Sequence, residues 1–143
     1  MADAPHHVVV VEDNITTNNL LRDWLKLAYH VTCFLDAESL RKLLPADDQP
    51  VVFVVDYNLP GEDGLSLQAH LQDGFPAGKT ILISGLFDQE LTQRAEDAGV
   101  DATLSKPFTL PTLDEKIREL LGLPPSKPNL VEMTKEDQQV DRG

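Results

Sequence analysis

The stretch VVVVEDN at residues 8–14 combines the features of a buried strand with those of a charged site. Four consecutive valines predict a strand that is buried on both faces, because a strand with one exposed face would alternate with polar residues. Glu12 and Asp13 follow at once, and burial strengthens the repulsion between two adjacent carboxylates. The stretch therefore predicts either that a positive group lies beside this pair or that the strand ends in solvent.

Four further apolar runs resemble the first one and alternate with helical patterns. They are VTCFL (31–35), VVFVV (51–55), TILIS (80–84) and DATLS (101–105). Apolar side chains at helical spacing follow each run; they are Leu21, Trp24, Leu25 and Ala28, then Leu40, Leu43 and Leu44, then Leu67 and Leu71, then Leu91, Ala95 and Ala98, and finally Leu113, Ile117, Leu120 and Leu121. We expect Trp24 in the core. The pattern predicts an α/β fold, a doubly wound five-stranded parallel sheet with helices on both faces.

The composition restricts the surroundings and the partners of the protein. Among 143 residues, 24 are acidic and 12 are basic, and a net charge of −12 disfavours nucleic acid and anionic membrane as direct partners. No apolar segment reaches the roughly 18 residues that cross a membrane, and MADAPHH (1–7) lacks the basic start of a signal peptide. The single cysteine, Cys33, fits a reducing compartment. We therefore expect a cytoplasmic protein without membrane insertion.

The length and the pattern predict one domain. Residues 1–5 are expected to form an N-terminal extension and residues 6–121 the domain itself. After Leu121, the stretch GLPPSKPN (122–129) ends the last helix with one glycine and three prolines. Few apolar residues follow, so we expect residues 122–143 to form a flexible C-terminal tail.

Charged and polar side chains come directly after four of the five predicted strands. The carboxyl ends of parallel strands lie at one edge of the sheet, where open α/β sheets bind their ligands. That edge then gathers Glu12, Asp13, Asp56, Ser84 with Gly85, and Lys106. Three carboxylates are oxygen ligands of the kind that Mg²⁺ prefers, and a lysine and a hydroxyl can hold a phosphoryl group. The set predicts phosphoryl transfer to a carboxylate, although each residue taken singly also fits a turn, a cap or a surface position.

The same stretches resemble a known family. VVVVEDN, VVDYNLPGEDGL (54–65), ILISG (81–85) and LSKPF (104–108) are similar, in order and in spacing, to the receiver domain of two-component response regulators, the CheY-like family. The resemblance covers about residues 6–121, and LSKPFTLPTLDEKIREL (104–120) resembles the receivers of the FixJ type. It implies the flavodoxin-like fold of that family.

The resemblance also implies roles for the acidic residues. Asp56 would be the phosphoacceptor. The ligands of Mg²⁺ would be Asp13, Asp56, the backbone carbonyl of Asn58 and, through water, Glu12. A histidine kinase or a histidine phosphotransfer protein would donate the phosphoryl group, and binding to a downstream protein would change as a result.

Further roles fall on residues after the last two strands. Ser84, Gly85 and Lys106 would bind the phosphoryl group, and Pro107 would follow a cis peptide bond, a feature that is essentially confined to proline. The protein would catalyse only its own phosphorylation and dephosphorylation, so it would not be an enzyme in the ordinary sense.

Two departures from the family pattern leave other functions open. The switch position, three residues before the lysine, usually carries an aromatic residue but is Thr103 here, and we expect Phe87 to transmit the signal instead. No DNA-binding domain follows residue 121, so a stand-alone receiver is expected.

One alternative function is that of an adaptor whose binding does not depend on phosphorylation. Another is a phosphatase of the haloacid dehalogenase type, which uses Asp-x-Asp where this chain has Asp56-Tyr57-Asn58.

Overall fold

Five parallel strands form one sheet in the computed structural model, which describes residues 6–45, 49–50 and 52–125. The strands are β1 (His7–Val11), β2 (His30–Phe34), β3 (Val52–Asp56), β4 (Lys79–Ser84) and β5 (Ala102–Ser105). The helices are α1 (Ile15–Leu25), α2 (Ala37–Leu43), α3 (Gly64–Gly74), α4 (Gln89–Asp97) and α5 (Leu110–Leu121). The strands lie in the order β2-β1-β3-β4-β5. The predicted five-stranded α/β fold is confirmed.

The valine run of β1 is buried because a layer of helices covers each side of the sheet. Val8 and Val10 belong to a core cluster with residues of α1 and α5, whereas Val9 and Val11 belong to another with residues of α2 and α3. All four side chains are at most 1% exposed. Burying a side chain of this size stabilises a fold by roughly 1.5–3 kcal/mol, so the strand that carries the acidic pair is firmly anchored.

A polar residue caps the start of each helix. Its side chain accepts a hydrogen bond from the backbone N–H three residues later, and the caps are Asn14, Asp36, Asp63, Asp88 and Thr109. A cap of this kind typically stabilises a helix by about 1 kcal/mol. Because each helix follows a strand, the caps also fix the loops at the carboxyl edge of the sheet, where the predicted site residues lie.

Three details predicted for the helices differ in the structure. The first helix, α1, ends at Leu25, so Ala28 lies in the turn before β2. Leu43 is 69% exposed although its spacing predicted the apolar face of α2. That helix ends at Leu43, and the next residue, Leu44, takes the buried place. Trp24 is half-buried against the edge of a core cluster and not inside it.

The last helix ends in a left-handed cap. Gly122 has a φ of 71°, a conformation that favours glycine. The N–H of Leu123 donates to the carbonyl of Arg118 at 2.9 Å, and Nε of Arg118 donates to the carbonyl of Pro124. The predicted extension, residues 1–5, and residues 126–143 of the predicted tail lie outside the described residues. Within the described ranges, no helix is long and apolar enough to cross a membrane.

Candidate functional site

Three carboxylates converge at the carboxyl edge of the sheet. Glu12 and Asp13 follow β1, and Asp56 is the last residue of β3, the strand that pairs with β1. One carboxylate oxygen of each lies within 4.8 Å of those of the other two. Glu12 and Asp56 are 4% and 3% exposed, whereas Asp13 is exposed to solvent. Neighbouring strands thus bring two buried acids and one exposed acid to a single point.

Lys106 is the positive group beside these acids. Its Nζ lies 2.7 Å from Oδ2 of Asp56 and 3.7 Å from Oε1 of Glu12. Its backbone N–H donates to the carbonyl of Ser84 at 2.9 Å, which continues the pairing of β4 with β5. The peptide bond between Lys106 and Pro107 is cis. Of the two possibilities that the acidic pair raised, the structure therefore has the first, a positive group next to buried carboxylates.

Burial and the neighbouring charges shift the pKa values of Glu12 and Lys106. Desolvation raises the pKa of Glu12 from 4.5 to about 7; the hydrogen bond from the N–H of Asn14 opposes this rise, and the nearby carboxylate of Asp56 adds to it. Burial lowers the pKa of Lys106, but the hydrogen bond and the charge of Asp56, together with Glu12, raise it above its ordinary value of 10.5. Lys106 therefore keeps its charge at neutral pH, while Glu12 exchanges a proton close to neutrality.

The loop between β3 and α3 holds Asp56 from the other side. The N–H of Asn58 donates to Oδ1 of Asp56 at 3.0 Å, and Asn58 itself is exposed. The N–H of Gly64 donates to the carbonyl of Tyr57 at 2.9 Å. A Cβ added to Gly64 would lie 2.6 Å from the carbonyl oxygen of Asp56. Glycine is therefore required where α3 begins, because the helix approaches the backbone of the central acid so closely.

Ser84 is buried at the end of β4, and its hydroxyl is bonded to the loop that follows. It donates to the carbonyl of Leu86 at 3.1 Å and accepts from the N–H of Leu86 at 3.2 Å. This hydroxyl thus closes the turn that leads to α4. Gly85 is exposed, and a Cβ there would meet no heavy atom within 4 Å, so packing among the described residues gives no reason for glycine at this position.

The two predicted switch residues lie in different surroundings. Thr103 is exposed on β5. Phe87 is half-buried, and it packs against a core cluster formed by Leu65, Leu82, Leu91 and Ala95. Two members of that cluster belong to α4. The bulky side chain that links the loop after β4 to this helix is therefore Phe87.

A second link to α4 was not apparent from the sequence. Tyr57, the residue after Asp56, packs against the same cluster as Phe87, and its hydroxyl accepts a hydrogen bond from Arg94 of α4 at 3.3 Å. The two residues are 37 positions apart. No local sequence pattern predicts that these two residues are in contact, so the hydrogen bond becomes visible only in the folded structure.

The arrangement of oxygen atoms fits a magnesium ion. Mg²⁺ keeps several waters and is usually bound through one or two carboxylates, with oxygen ligands throughout. The three converging carboxylates supply such ligands. Asp13 is exposed and, within the described chain, its carboxylate has no hydrogen-bond or ion-pair partner, so both of its oxygens are available.

The site and the fold correspond to a known family over most of the chain. The family model of the response regulator receiver domain matches residues 8–118. The chain belongs to the response regulator receiver family. Receiver domains are the phosphoryl-accepting modules of two-component systems, and they generally act in signalling and not as enzymes. The family expected from the motifs is confirmed.

Curated relatives agree with this assignment. The TorCAD operon transcriptional regulatory protein TorR of Escherichia coli O157:H7 is 32% identical over 119 residues, which are 82% of this chain and 50% of that protein. The probable chemotaxis protein CheY of Rhizobium etli is 30% identical over 120 residues, which are 80% of this chain and 92% of that protein. The receiver chain thus spans half the length of TorR and nearly all of the CheY protein.

Solved structures share the fold. A CheY-like receiver domain protein of Methanospirillum hungatei has a TM-score of 0.76 at 26% identity, over 83% of this chain and 95% of that chain. The BeF3-activated receiver domain of DrrB has a TM-score of 0.75 at 24% identity, over 82% of this chain and 98% of that chain. The second likeness is one of fold alone.

Proposed function

We propose that Asp56 accepts a phosphoryl group from a histidine kinase or a histidine phosphotransfer protein, that Mg²⁺ assists the transfer, and that binding to a downstream protein changes as a result. One observation carries this proposal. The carboxylate of Asp56 is buried, lies 2.7 Å from the ammonium of Lys106, and shares its place with Glu12 and Asp13. Family membership supports the phosphoryl-accepting role, whereas the donor, the metal and the partner are proposals.

Asp56 is the nucleophile in this reaction. A bond forms between a carboxylate oxygen of Asp56 and phosphorus, while the bond from phosphorus to the donor's histidine nitrogen breaks and leaves its electron pair on that nitrogen. Asn58 fixes one carboxylate oxygen through its N–H. Lys106 contacts the other oxygen and is close enough to bind an arriving phosphoryl oxygen through its positive charge.

Other residues would hold the metal and the phosphoryl group. Asp13, Asp56, the carbonyl of Asn58 and, through water, Glu12 would bind Mg²⁺, whose charge would offset that of the phosphoryl oxygens near the acids. With a pKa of about 7, Glu12 loses its proton readily near neutrality and can then accept a hydrogen bond from a bound water. Ser84 would turn its hydroxyl to a phosphoryl oxygen, and to do so it must release the backbone of Leu86.

The two alternative functions have weaker support. A haloacid-dehalogenase-type phosphatase needs a second aspartate two residues after the nucleophile, and that position is Asn58, whose amide cannot act as a general acid or base. An adaptor that ignores phosphorylation is favoured only by the exposed Thr103 at the switch position. The complete set of acids and the lysine favours phosphorylation. A cytoplasmic location stays a prediction from the sequence.

Incubation with acetyl phosphate and Mg²⁺ tests the proposed function. We expect intact-mass spectrometry to show one added phosphoryl group on the wild type and none on Asp56→Asn. Asp73→Asn, a matched change of an exposed acid on α3, should be labelled like the wild type. Undiminished labelling of Asp56→Asn would overturn the proposal. Turnover of a generic phosphate ester would instead favour the phosphatase, and partner capture that is equal with and without phosphorylation would favour the adaptor.

A further inference from the structure

Asn18 is a buried polar side chain that has no direct role in the proposed phosphoryl transfer. It lies on α1 at the position of the apolar stripe that continues with Leu21 and Leu25, and it is 4% exposed. Burying an amide without hydrogen bonds costs about 1–3 kcal/mol, so its partners must explain why an asparagine occupies this place.

The amide of Asn18 joins the ends of two strands. Its Nδ2 donates to the carbonyl of Glu12 at 2.9 Å and to the carbonyl of Phe34 at 3.0 Å. The N–H of Glu12 donates to the same Phe34 carbonyl at 3.1 Å. The backbone N–H of Asn18 also donates to the carbonyl of Asn14 at 2.8 Å. One residue therefore holds the main chain on both sides of Asp13.

The direction of Asp13 depends on that main chain. Glu12 is also fixed through its side chain, which accepts a hydrogen bond from Asn14 and faces Lys106. The carboxylate of Asp13 has no such contact in the part of the chain that the structure describes. If the turn between β1 and α1 relaxed, nothing else would keep Asp13 close to Asp56.

We infer that Asn18 is a positioning residue of the metal site. Its amide fixes the turn from β1 into α1, so that the carboxylates of Glu12 and Asp13 converge on Asp56 before any ion binds. The inference rests on the proposed function, because the role is defined by Mg²⁺ binding. According to this inference, the buried amide of Asn18 increases the affinity for Mg²⁺ in addition to stabilising the fold.

Calorimetric titration of the whole chain with Mg²⁺ tests this inference. Asn18→Leu keeps the approximate shape and removes both hydrogen bonds, and we expect the dissociation constant to rise about tenfold, as for other residues that orient metal ligands. Asn19→Leu makes the same chemical change on the exposed face of α1 and should stay within about twofold of the wild type. Tyr29→Phe removes a buried hydrogen bond between Tyr29, the residue before β2, and Asp114 of α5, neither of which belongs to the acidic cluster, and it controls for lost stability alone.

The outcomes separate this inference from the proposed function. Wild-type affinity in Asn18→Leu, together with lost affinity in Asp13→Asn, would show that Asn18 only stabilises the fold, and the inference alone would be wrong. If Tyr29→Phe lost as much Mg²⁺ affinity as Asn18→Leu, the loss would reflect lower stability, and the inference would again be wrong. Absence of Mg²⁺ binding by the wild type would overturn both. If Asn18→Leu does not fold, Asn18→Ala removes the amide without adding apolar volume and carries the same comparison.

Discussion

The ammonium of Lys106 lies 2.7 Å from Oδ2 of Asp56 and is the counter-ion of that buried acid. The same group lies 3.7 Å from Oε1 of Glu12, so a single positive charge serves two carboxylates that are almost fully buried. A lysine carries a compact charge on a flexible stem. We therefore expect Lys106 to move from a carboxylate oxygen to a phosphoryl oxygen through its side chain when Asp56 is phosphorylated.

Replacing Lys106 with methionine removes this charge and keeps most of the stem. We expect Mg²⁺ to bind more tightly, because the ion no longer competes with an ammonium for Asp56. Phosphorylation by acetyl phosphate should nevertheless slow by about a hundredfold, because a charge that stabilises the developing phosphoryl oxygens is lost. Calorimetry and the initial rate of labelling measure the two effects. Lys79→Met is the control, because Lys79 is the first residue of β4 and lies at the edge of the sheet away from the acidic cluster. An unchanged rate of phosphorylation in Lys106→Met would exclude the proposed role of Lys106.

Glu12 should make the stability of the metal-free protein depend on pH. Its pKa of about 7 in the folded state exceeds its ordinary value of 4.5, so between these values the folded state binds more protons than the unfolded state. The contribution of Glu12 to the free energy of unfolding therefore falls as the pH rises through this window. We expect Glu12→Gln to remove that fall in urea denaturation curves, whereas Glu96→Gln, an exposed change on α4, should keep it. Parallel curves for the wild type and Glu12→Gln would contradict the prediction.

Asp13 should be a main determinant of metal affinity. For a site with few carboxylates and several waters we expect a dissociation constant on the order of 0.1–5 mM for the wild type, and at least about tenfold weaker binding in Asp13→Asn. We expect the fluorescence of Trp24 to respond weakly to Mg²⁺ binding, because the helical rise places this residue roughly 14 Å from the start of α1. Calorimetry is the better measurement, and equal affinities would remove Asp13 from the metal shell.

Two truncations separate the cap of α5 from the chain beyond it. Ending the chain after Leu121 removes Gly122 and the bond from Leu123 to Arg118, so we expect the free energy of unfolding to fall by about 1 kcal/mol. Ending it after Pro125 keeps the cap and should change the stability by less than about 0.5 kcal/mol. Urea denaturation measures both. A loss above about 2 kcal/mol in the longer form would mean that residues 126–143 dock onto the domain.

The sequence was sufficient for the sheet and for the acidic cluster because both depend on local patterns. A continuous apolar run predicts a strand that is buried on both faces, and the residue after such a run lies at the carboxyl edge. Contacts between distant segments leave no such pattern. Asn18 bonds to Phe34 across 16 positions, and Tyr57 to Arg94 across 37. An asparagine within an apolar stripe is nevertheless a signal, because a buried amide requires partners.

We predict that the signal from Asp56 reaches α4 through Ser84. Its hydroxyl holds both the carbonyl and the N–H of Leu86. If that hydroxyl turns to a phosphoryl oxygen on Asp56, both bonds break and the loop that carries Phe87 is released. Phosphorylation would then first change the packing of Phe87 against the cluster that includes residues of α4.

Chemical-shift mapping by NMR, with and without a phosphoryl mimic at Asp56, tests this route. We expect the mimic to shift amide signals of α4 in the wild type and in Thr103→Ala, but much less in Phe87→Ala. The reason is contact: Phe87 packs on the cluster that contains Leu91 and Ala95 of α4, whereas Thr103 is exposed, short and restricted by its β-branch. Shifts that persist in Phe87→Ala and vanish in Thr103→Ala would make Thr103 the switch after all.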